Sequence, residues 1–322
     1  MVKNSCDLNI AVIGVGGWGK NHARVLMDLG VLAGICDANE ERAKEIAARY
    51  NTCYYRSLDD LLRDNTELNG CIVCTPTRTH FDVAKKVMEH GIHVFVEKPL
   101  SFSSIECEEM INISLNRKVL LTSGYIERFN PVVQDVKHII KKKTYGDLLM
   151  MEFHRENRMP MHIKDVGIIY DTSVHDIDTA MFLFNSRPNV VFARAGAKFH
   201  SYEDFATLML GFEDQKVAII ASNWITPKKV RTFNAVCTEG IISGDFITQE
   251  IRIDEAQQTI TPRRSGNLLE PLTLELKSFI GALQGKIDES LISATDATYV
   301  TKVAESAILS SKTGSPIYLE LK

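Results

Sequence analysis

Two short runs hold the side chains best suited to moving a proton on and off an oxygen. The first is Asp171-Thr172-Ser173-Val174-His175-Asp176-Ile177-Asp178. On a helix Asp171, His175 and Asp178 fall at i, i+4 and i+7 and share one face. Val174, Ile177 and Met181 make a neighbouring apolar stripe that would pin the helix to a core. A carboxylate one turn from a histidine fixes its tautomer and raises its basicity, as a general base for alcohol oxidation needs. The spacing also suits two metal ligands, with no third or fourth evident nearby, or a solvated charged face. The second run, Glu97-Lys98-Pro99, follows an apolar strand expected over His93–Val96. A lysine at an apolar site can lose its proton more readily and take part in proton transfer or orient a hydroxyl, with Glu97 as counter-ion. A strand-ending salt bridge is the open alternative.

The elements that must position these groups begin with Gly14-Val15-Gly16-Gly17-Trp18-Gly19, a G-x-G-x-x-G after an apolar run (Leu8–Val15) and before a helical stretch (Trp18–Leu29). Gly14 permits a tight turn, Gly16 lets backbone approach a pyrophosphate, and Gly19 allows close helix–strand packing. Gly17, Trp18 and the helix N-terminus complete a phosphate cradle. The second strand, Val31–Cys36, leads to Asp37, 18 residues past Gly19, where a carboxylate would bond the ribose hydroxyls. It would repel a 2′-phosphate; Ala38 and Asn39 offer no arginine, and Arg42 is a helical turn on. NAD is therefore expected over NADP.

Strand and helix patterns alternate through the first third, with helices over Asn39–Tyr50, Thr79–His90 and Ser103–Asn116 and strands at Gly70–Cys74 and Val119–Thr122. This alternation implies right-handed crossovers and a parallel sheet. After Gly124 come a helix over Pro131–Lys142, a strand over Leu148–His154 and a helix from Gly167 to Phe184. Between Val190 and Ile253 successive strands with short turns fit an antiparallel meander, followed by helices at Pro271–Gln284 and Ala294–Lys312. The expected fold is an α/β Rossmann domain over 1–123, then an α+β domain with an open, mostly antiparallel sheet over 124–322, whose C-terminal helix could pack back on the first domain.

A length of 322 residues suits two domains, and 45% hydrophobic content argues against disorder. A net charge of −4 gives no reason to expect nucleic acid, and the lysines at 141–143 complement a helix C-terminus. No apolar run approaches the roughly 20 residues of a membrane span. Met1–Asp7 is polar, without a secretory segment, so a cytoplasmic location is expected. The seven cysteines are scattered; Cys71 and Cys74 lie on an expected strand, where residues three apart point to opposite faces, so they read as small buried hydrophobes.

Taken in order, Gly14–Gly19, Asp37, Cys74-Thr75-Pro76-Thr77 with His80, Glu97-Lys98-Pro99 and Asp171-x3-His175 resemble the Gfo/Idh/MocA oxidoreductase family. The resemblance implies a Rossmann domain and an open-sheet domain, with dimers or tetramers formed through that sheet. It implies Lys98, Asp171 and His175 as the catalytic group, meeting in a cleft between the domains, and Thr75, Pro76, His80 and Glu97 as part of the cofactor site. It also implies an often-cis Lys98–Pro99 bond. The run from Arg155 through Asp165-Val166-Gly167-Ile168 to Asp178 resembles the family's UDP-N-acetylglucosamine 3-dehydrogenase branch. That branch implies oxidation of a sugar hydroxyl with hydride transfer to NAD; a free sugar or inositol is the alternative substrate. A non-catalytic NAD sensor, and a reductase of the biliverdin type, are the other readings. Tyr125, Arg128, Asn130, Arg155, Arg158 and Asp178 are the expected substrate contacts, the arginines offering planar forks to phosphate oxygens or, alternatively, forming ion pairs. No metal is expected.

Overall fold

The computed structural model describes residues 8–64, 67–159, 165–262 and 268–320. They form two compact units: one runs to Tyr125 and takes in Leu272–Thr298, and the other comprises Ile126–Pro271 and the chain from Tyr299 onward.

In the first unit the order is β1 (Ile10–Ile13), α1 (Gly19–Asp28), β2 (Leu32–Cys36), α2 (Glu40–Tyr50), β3 (Cys53–Tyr55), α3 (Leu58–Asp64), β4 (Gly70–Val73), α4 (His80–Glu89), β5 (His93–Glu97), α5 (Ser104–Arg117) and β6 (Leu121–Gly124). The strands are all parallel and lie in the order β3-β2-β1-β4-β5-β6. β1 and β4 are buried at every position, as parallel strands covered on both faces must be, which is why they read as unbroken apolar runs. The direction of winding reverses between β1 and β4, and crevices outside the carboxyl ends of strands at such a reversal take ligands. Side-chain caps start three of these helices: Asn39 accepts from Arg42 N, Ser57 from Asp60 N and Ser103 from Glu106 N.

The second unit contains α6 (Pro131–Lys141), β7 (Leu148–Glu156) and a π-helical turn (Ile169–Ser173) that runs directly into α7 (Val174–Phe184). Then come β8 (Val190–Gly196), β9 (Phe205–Gly211), β10 (Val217–Asn223), β11 (Val230–Cys237), β12 (Ile241–Asp245), β13 (Ile251–Asp254) and β14 (Thr259–Ile260). α8 (Pro271–Leu283) returns to the first unit, where Phe279 meets Phe95 edge-on at 5.5 Å and Thr122 Oγ1 donates to Ile292 O at 2.7 Å. α9 (Ala294–Thr313) and β15 (Ile317–Tyr318) end the described chain. The nine strands order as β14-β13-β12-β11-β7-β10-β9-β8-β15. Every pair is antiparallel except β7 with β10, which makes the expected meander a mixed sheet. One face is buried, with Phe153, Leu208, Ile220 and Phe233 in the core; the other carries Phe205, Met209, Ile219 and Ile241 into solvent.

The regular helix expected from Gly167 to Phe184 is corrected at its start. Asp171 sits in the wider π turn and His175 in α7, so they are not related by the 3.6-residue period, whereas His175 and Asp178 both lie in regular α7.

Candidate active site

In the first unit the backbone folds the glycine loop against its neighbours. Gly14 has φ +85°, and a Cβ there would lie 2.8 Å from the carbonyl of Cys74. A Cβ on Gly19 would lie 1.9 Å from the Gly14 carbonyl oxygen, so the helix can approach the loop only without a side chain. Nothing lies within 4 Å of where a Cβ of Gly16 would be, and Gly17 and Trp18 are exposed. Trp18 is the N-cap of α1 yet makes no capping bond, and the first turn has no acidic residue. A helix N-terminus without a side-chain cap or a first-turn acid, beside open backbone at Gly16, is what a pyrophosphate requires, so these residues fit a dinucleotide.

Asp37 is the brace of this loop. Its carboxylate accepts from Val15 N and Asn39 N, both at 2.8 Å, and from Arg42 through Nη2 at 2.8 Å and Nε at 3.1 Å. Burial alone would raise its pKa, but the bonds from Arg42, Asn39 and Val15 win and hold the carboxyl below its ordinary value. The brace is therefore complete at neutral pH and is lost only as pH falls through that lowered value. Arg42, read from the sequence as lying a turn away, closes directly on the carboxylate.

Lys98 directly follows β5, is joined to Pro99 by a cis bond and is half-buried. Glu97 turns inward: Oε1 pairs with His22 Nε2 at 2.6 Å, and Oε2 accepts from the Lys98 backbone N at 3.1 Å. Glu97 thus fixes the backbone of Lys98 and ties it to α1. His22 is fully buried, and the sequence reading missed it, although a histidine three residues past Gly19 on the helix's buried stripe was the available signal. His80 is also buried, with Nδ1 2.9 Å from Pro99 O and Nε2 2.9 Å from Thr75 O. A neutral imidazole donates from one nitrogen only, so the ring satisfies both carbonyls only when doubly protonated. The ring bridges the turns after β4 and β5. Thr75 and Pro76 stand at the head of that turn, where Thr79 Oγ1 donates to Pro76 O at 2.7 Å. Cys71 is buried, and burial pushes its thiol up to about 12, which leaves it inert.

In the second unit Asp171 and His175 are half-buried. Asp171 Oδ2 accepts from Thr172 Oγ1 at 3.1 Å, and the carbonyl of His175 accepts from Thr179 Oγ1 at 2.8 Å. The neighbouring acids point inward. Arg128 Nε donates to both oxygens of Asp178 at 2.9 Å, with Nη2 adding 2.7 Å, and its guanidinium lies over Phe182. Arg155 grips Asp176 from Nε at 3.1 Å and Nη2 at 2.8 Å, and reaches Glu127 from Nη1 at 2.9 Å. Burial alone would make Arg155 easier to deprotonate, but Asp176 and Glu127 overcome it and hold the guanidinium charged. Asn130 Nδ2 donates to Glu127 Oε2 at 3.0 Å and to Phe246 O at 2.9 Å.

The six expected substrate contacts differ in exposure. Arg128, Asn130, Arg155 and Asp178 are buried and satisfied by partners in their own unit, and Tyr125 is buried at the end of the other. Arg158 alone of the six remains exposed. The sequence reading missed Arg231, directly across from Arg155 on the neighbouring strand. Among the described residues no cluster of three or more His, Cys, Asp or Glu is arranged to hold a metal, and no helix is long and apolar enough to cross a membrane.

Comparison with known proteins agrees with this geometry. Residues 8–125 match the oxidoreductase family described as an NAD-binding Rossmann fold, and residues 133–243 match the GFO/IDH/MocA C-terminal domain. The UDP-N-acetylglucosamine 3-dehydrogenase of Acidithiobacillus ferrooxidans is 29% identical over 246 residues, 76% of each chain. A myo-inositol 2-dehydrogenase of Thermotoga maritima is 28% identical over 193 residues, 58% of each chain. A solved structure of the Acidithiobacillus enzyme superposes with a TM-score of 0.86 at 25% identity, covering 95% of this chain and 98% of that one. NAD is the cofactor that the first unit is built for. The chain belongs to the Gfo/Idh/MocA family, as an NAD-dependent oxidoreductase acting on CH–OH groups.

Proposed function

We propose that the protein oxidises a secondary hydroxyl of a nucleotide sugar, the 3-hydroxyl of a UDP-N-acetylhexosamine. The observation that carries the substrate is the similarity to the UDP-N-acetylglucosamine 3-dehydrogenase over 76% of both chains. When bound, NAD supplies the hydride acceptor at nicotinamide C4. His175 takes the hydroxyl proton, so that alcohol and NAD become ketone, NADH and a proton. Asp171, at the π turn, stabilises the charge that His175 gains. Lys98 hydrogen-bonds the same oxygen and steadies its developing negative charge, its backbone held by Glu97.

The test is a cofactor-reduction screen with NAD and NADP over UDP-N-acetylglucosamine, UDP-N-acetylglucosaminuronate, myo-inositol and common aldoses. Reduction of NAD by a UDP-sugar, with NADP at least tenfold poorer in kcat/KM, is expected. Turnover of inositol or free aldoses alone would remove the nucleotide sugar, and tight NAD binding with no turnover throughout would favour the sensor.

We also propose that two copies associate through the uncovered face of the nine-stranded sheet. Met209 and Ile219 lie opposite each other in register on β9 and β10, with Phe205 and Ile241 on the same open side. An exposed apolar face of this kind marks an association surface. Ile219→Arg with Met209→Arg should give a folded monomer by light scattering; an unchanged mass would reject this face.

A further inference from the structure

We propose that Arg231 and Lys229 form an anion-binding subsite for an acidic oxygen group carried by the sugar near its reacting hydroxyl. The proposal rests on the dehydrogenase reading above and narrows its substrate class.

The placement follows from strand register. Ser222 on β10 is level with Arg155 on β7, and Arg155 is level with Arg231 on β11, so the three side chains form one row across the sheet. Neighbouring places in such a row are about 4.8 Å apart. The helical segment that bears Asp171 and His175 lies over the first two places: Ser173 Oγ bonds Ser222 Oγ at 3.1 Å, and Asp176 holds Arg155. Arg231 occupies the third.

Two arginines directly opposite on adjacent strands repel. Arg155 is compensated twice over, by Asp176 and Glu127, and Arg231 is not. Its acid contact is Glu127 Oε1 at 3.9 Å, the same oxygen that accepts from Arg155 at 2.9 Å. That distance is too long for a hydrogen bond. Arg231 Nε is buried with no acceptor among the described residues, while the side chain as a whole keeps 36% of its surface. Asp171 acts on it only at longer range, the weakest of the influences on its charge. Lys229, two residues back, is exposed, and its ammonium is held below the ordinary lysine range, first by Arg231 and then by burial. The row thus presents cationic groups whose carboxylate is already engaged elsewhere.

Such a pair accepts a group with two or more anionic oxygens, which a guanidinium meets through parallel N–H donors. A carboxylate on the sugar ring and a phosphate on its anomeric oxygen share that chemistry. Titrating the NADH-loaded protein with glucuronate, N-acetylglucosamine 1-phosphate, N-acetylglucosamine and myo-inositol separates the two sources and measures affinity without turnover. At least one anionic sugar should bind ten or more times tighter than the neutral ones. Arg231→Gln should cut that preference by about 10- to 100-fold, the range expected for charge-assisted bonds, while neutral sugars and NADH bind as before. Arg231→Lys should restore part of it. Equal loss for charged and neutral sugars would make Arg231 structural and overturn the proposal, as would a wild-type protein indifferent to charge. Should Arg231→Gln not fold, Lys229→Gln at its exposed position must lower the preference by about threefold, and no change there would also overturn it. Arg231-dependent anion binding in a protein that oxidises no sugar would uphold the subsite and remove the dehydrogenase reading.

Discussion

Arg155→Met should lower the stability of the protein by about 3–5 kcal/mol, because it leaves Asp176 and Glu127 buried without their shared cation. The guanidinium is among the largest fully buried side chains and makes four bonds to these two acids. Both acids are buried. For a protein of this size the loss should appear as a fall of about 10 °C in melting temperature. Removing the acids as well, in Arg155→Met with Asp176→Leu and Glu127→Gln, should recover much of the loss, since the penalty lies in the orphaned charges rather than in the missing bridge. A melting temperature within 2 °C of wild type for Arg155→Met would show that the cluster is hydrated or protonated and contributes little.

The second large effect concerns turnover. His175→Ala should lower kcat by about 10²–10⁴-fold, the range for loss of a positioned base. Lys98→Met should fall in the same range, since it removes the hydrogen bond to the alcohol oxygen. NAD should bind both variants with wild-type affinity, because the loop from Gly14 to Gly19 and its brace Asp37 are untouched. The pair of readouts matters: near-wild-type turnover would clear either residue of a chemical role, whereas lost NAD binding would show that the substitution damaged the fold of the site.

The first unit was legible in the sequence because its causes are local. Gly14 and Gly19 answer contacts within one strand–loop–helix unit, and the apolar runs of β1 and β4 follow from burial on both faces. The nine-stranded sheet was legible as strands and turns, but not the parallel β7–β10 pair, since register between distant strands leaves little trace in either strand. The arginines show the limit most clearly. A guanidinium suits a substrate phosphate and a buried carboxylate equally well, and the choice for Arg128 was made by Asp178, 50 residues away. The choice for Arg155 was made by Asp176, 21 residues on. His22 was missed for the same reason, as its partner Glu97 is 75 residues distant. Spacing placed Asp171 one α-helical turn from His175 because it assumed a uniform helical period, and the π turn that holds Asp171 does not keep that period.

That turn also bears on how the segment can change over time. A π turn holds one residue more than the α-helical ladder needs, and such inserted residues are frequent at functional positions. Ile169–Ser173 therefore acts as a phase adjuster between two stretches that answer to different constraints. Downstream, Asp176 and Asp178 are locked in rotation by Arg155 and Arg128, and His175 rotates with them. Upstream, Asp171 lies within the π turn itself. Deleting one residue here would restore a regular helix and swing Asp171 by about 100° around the axis relative to His175, the turn that one residue makes at 3.6 residues per turn. An alignment that forbids gaps within helices would make the same error on paper, pairing the wrong carboxylate with the histidine.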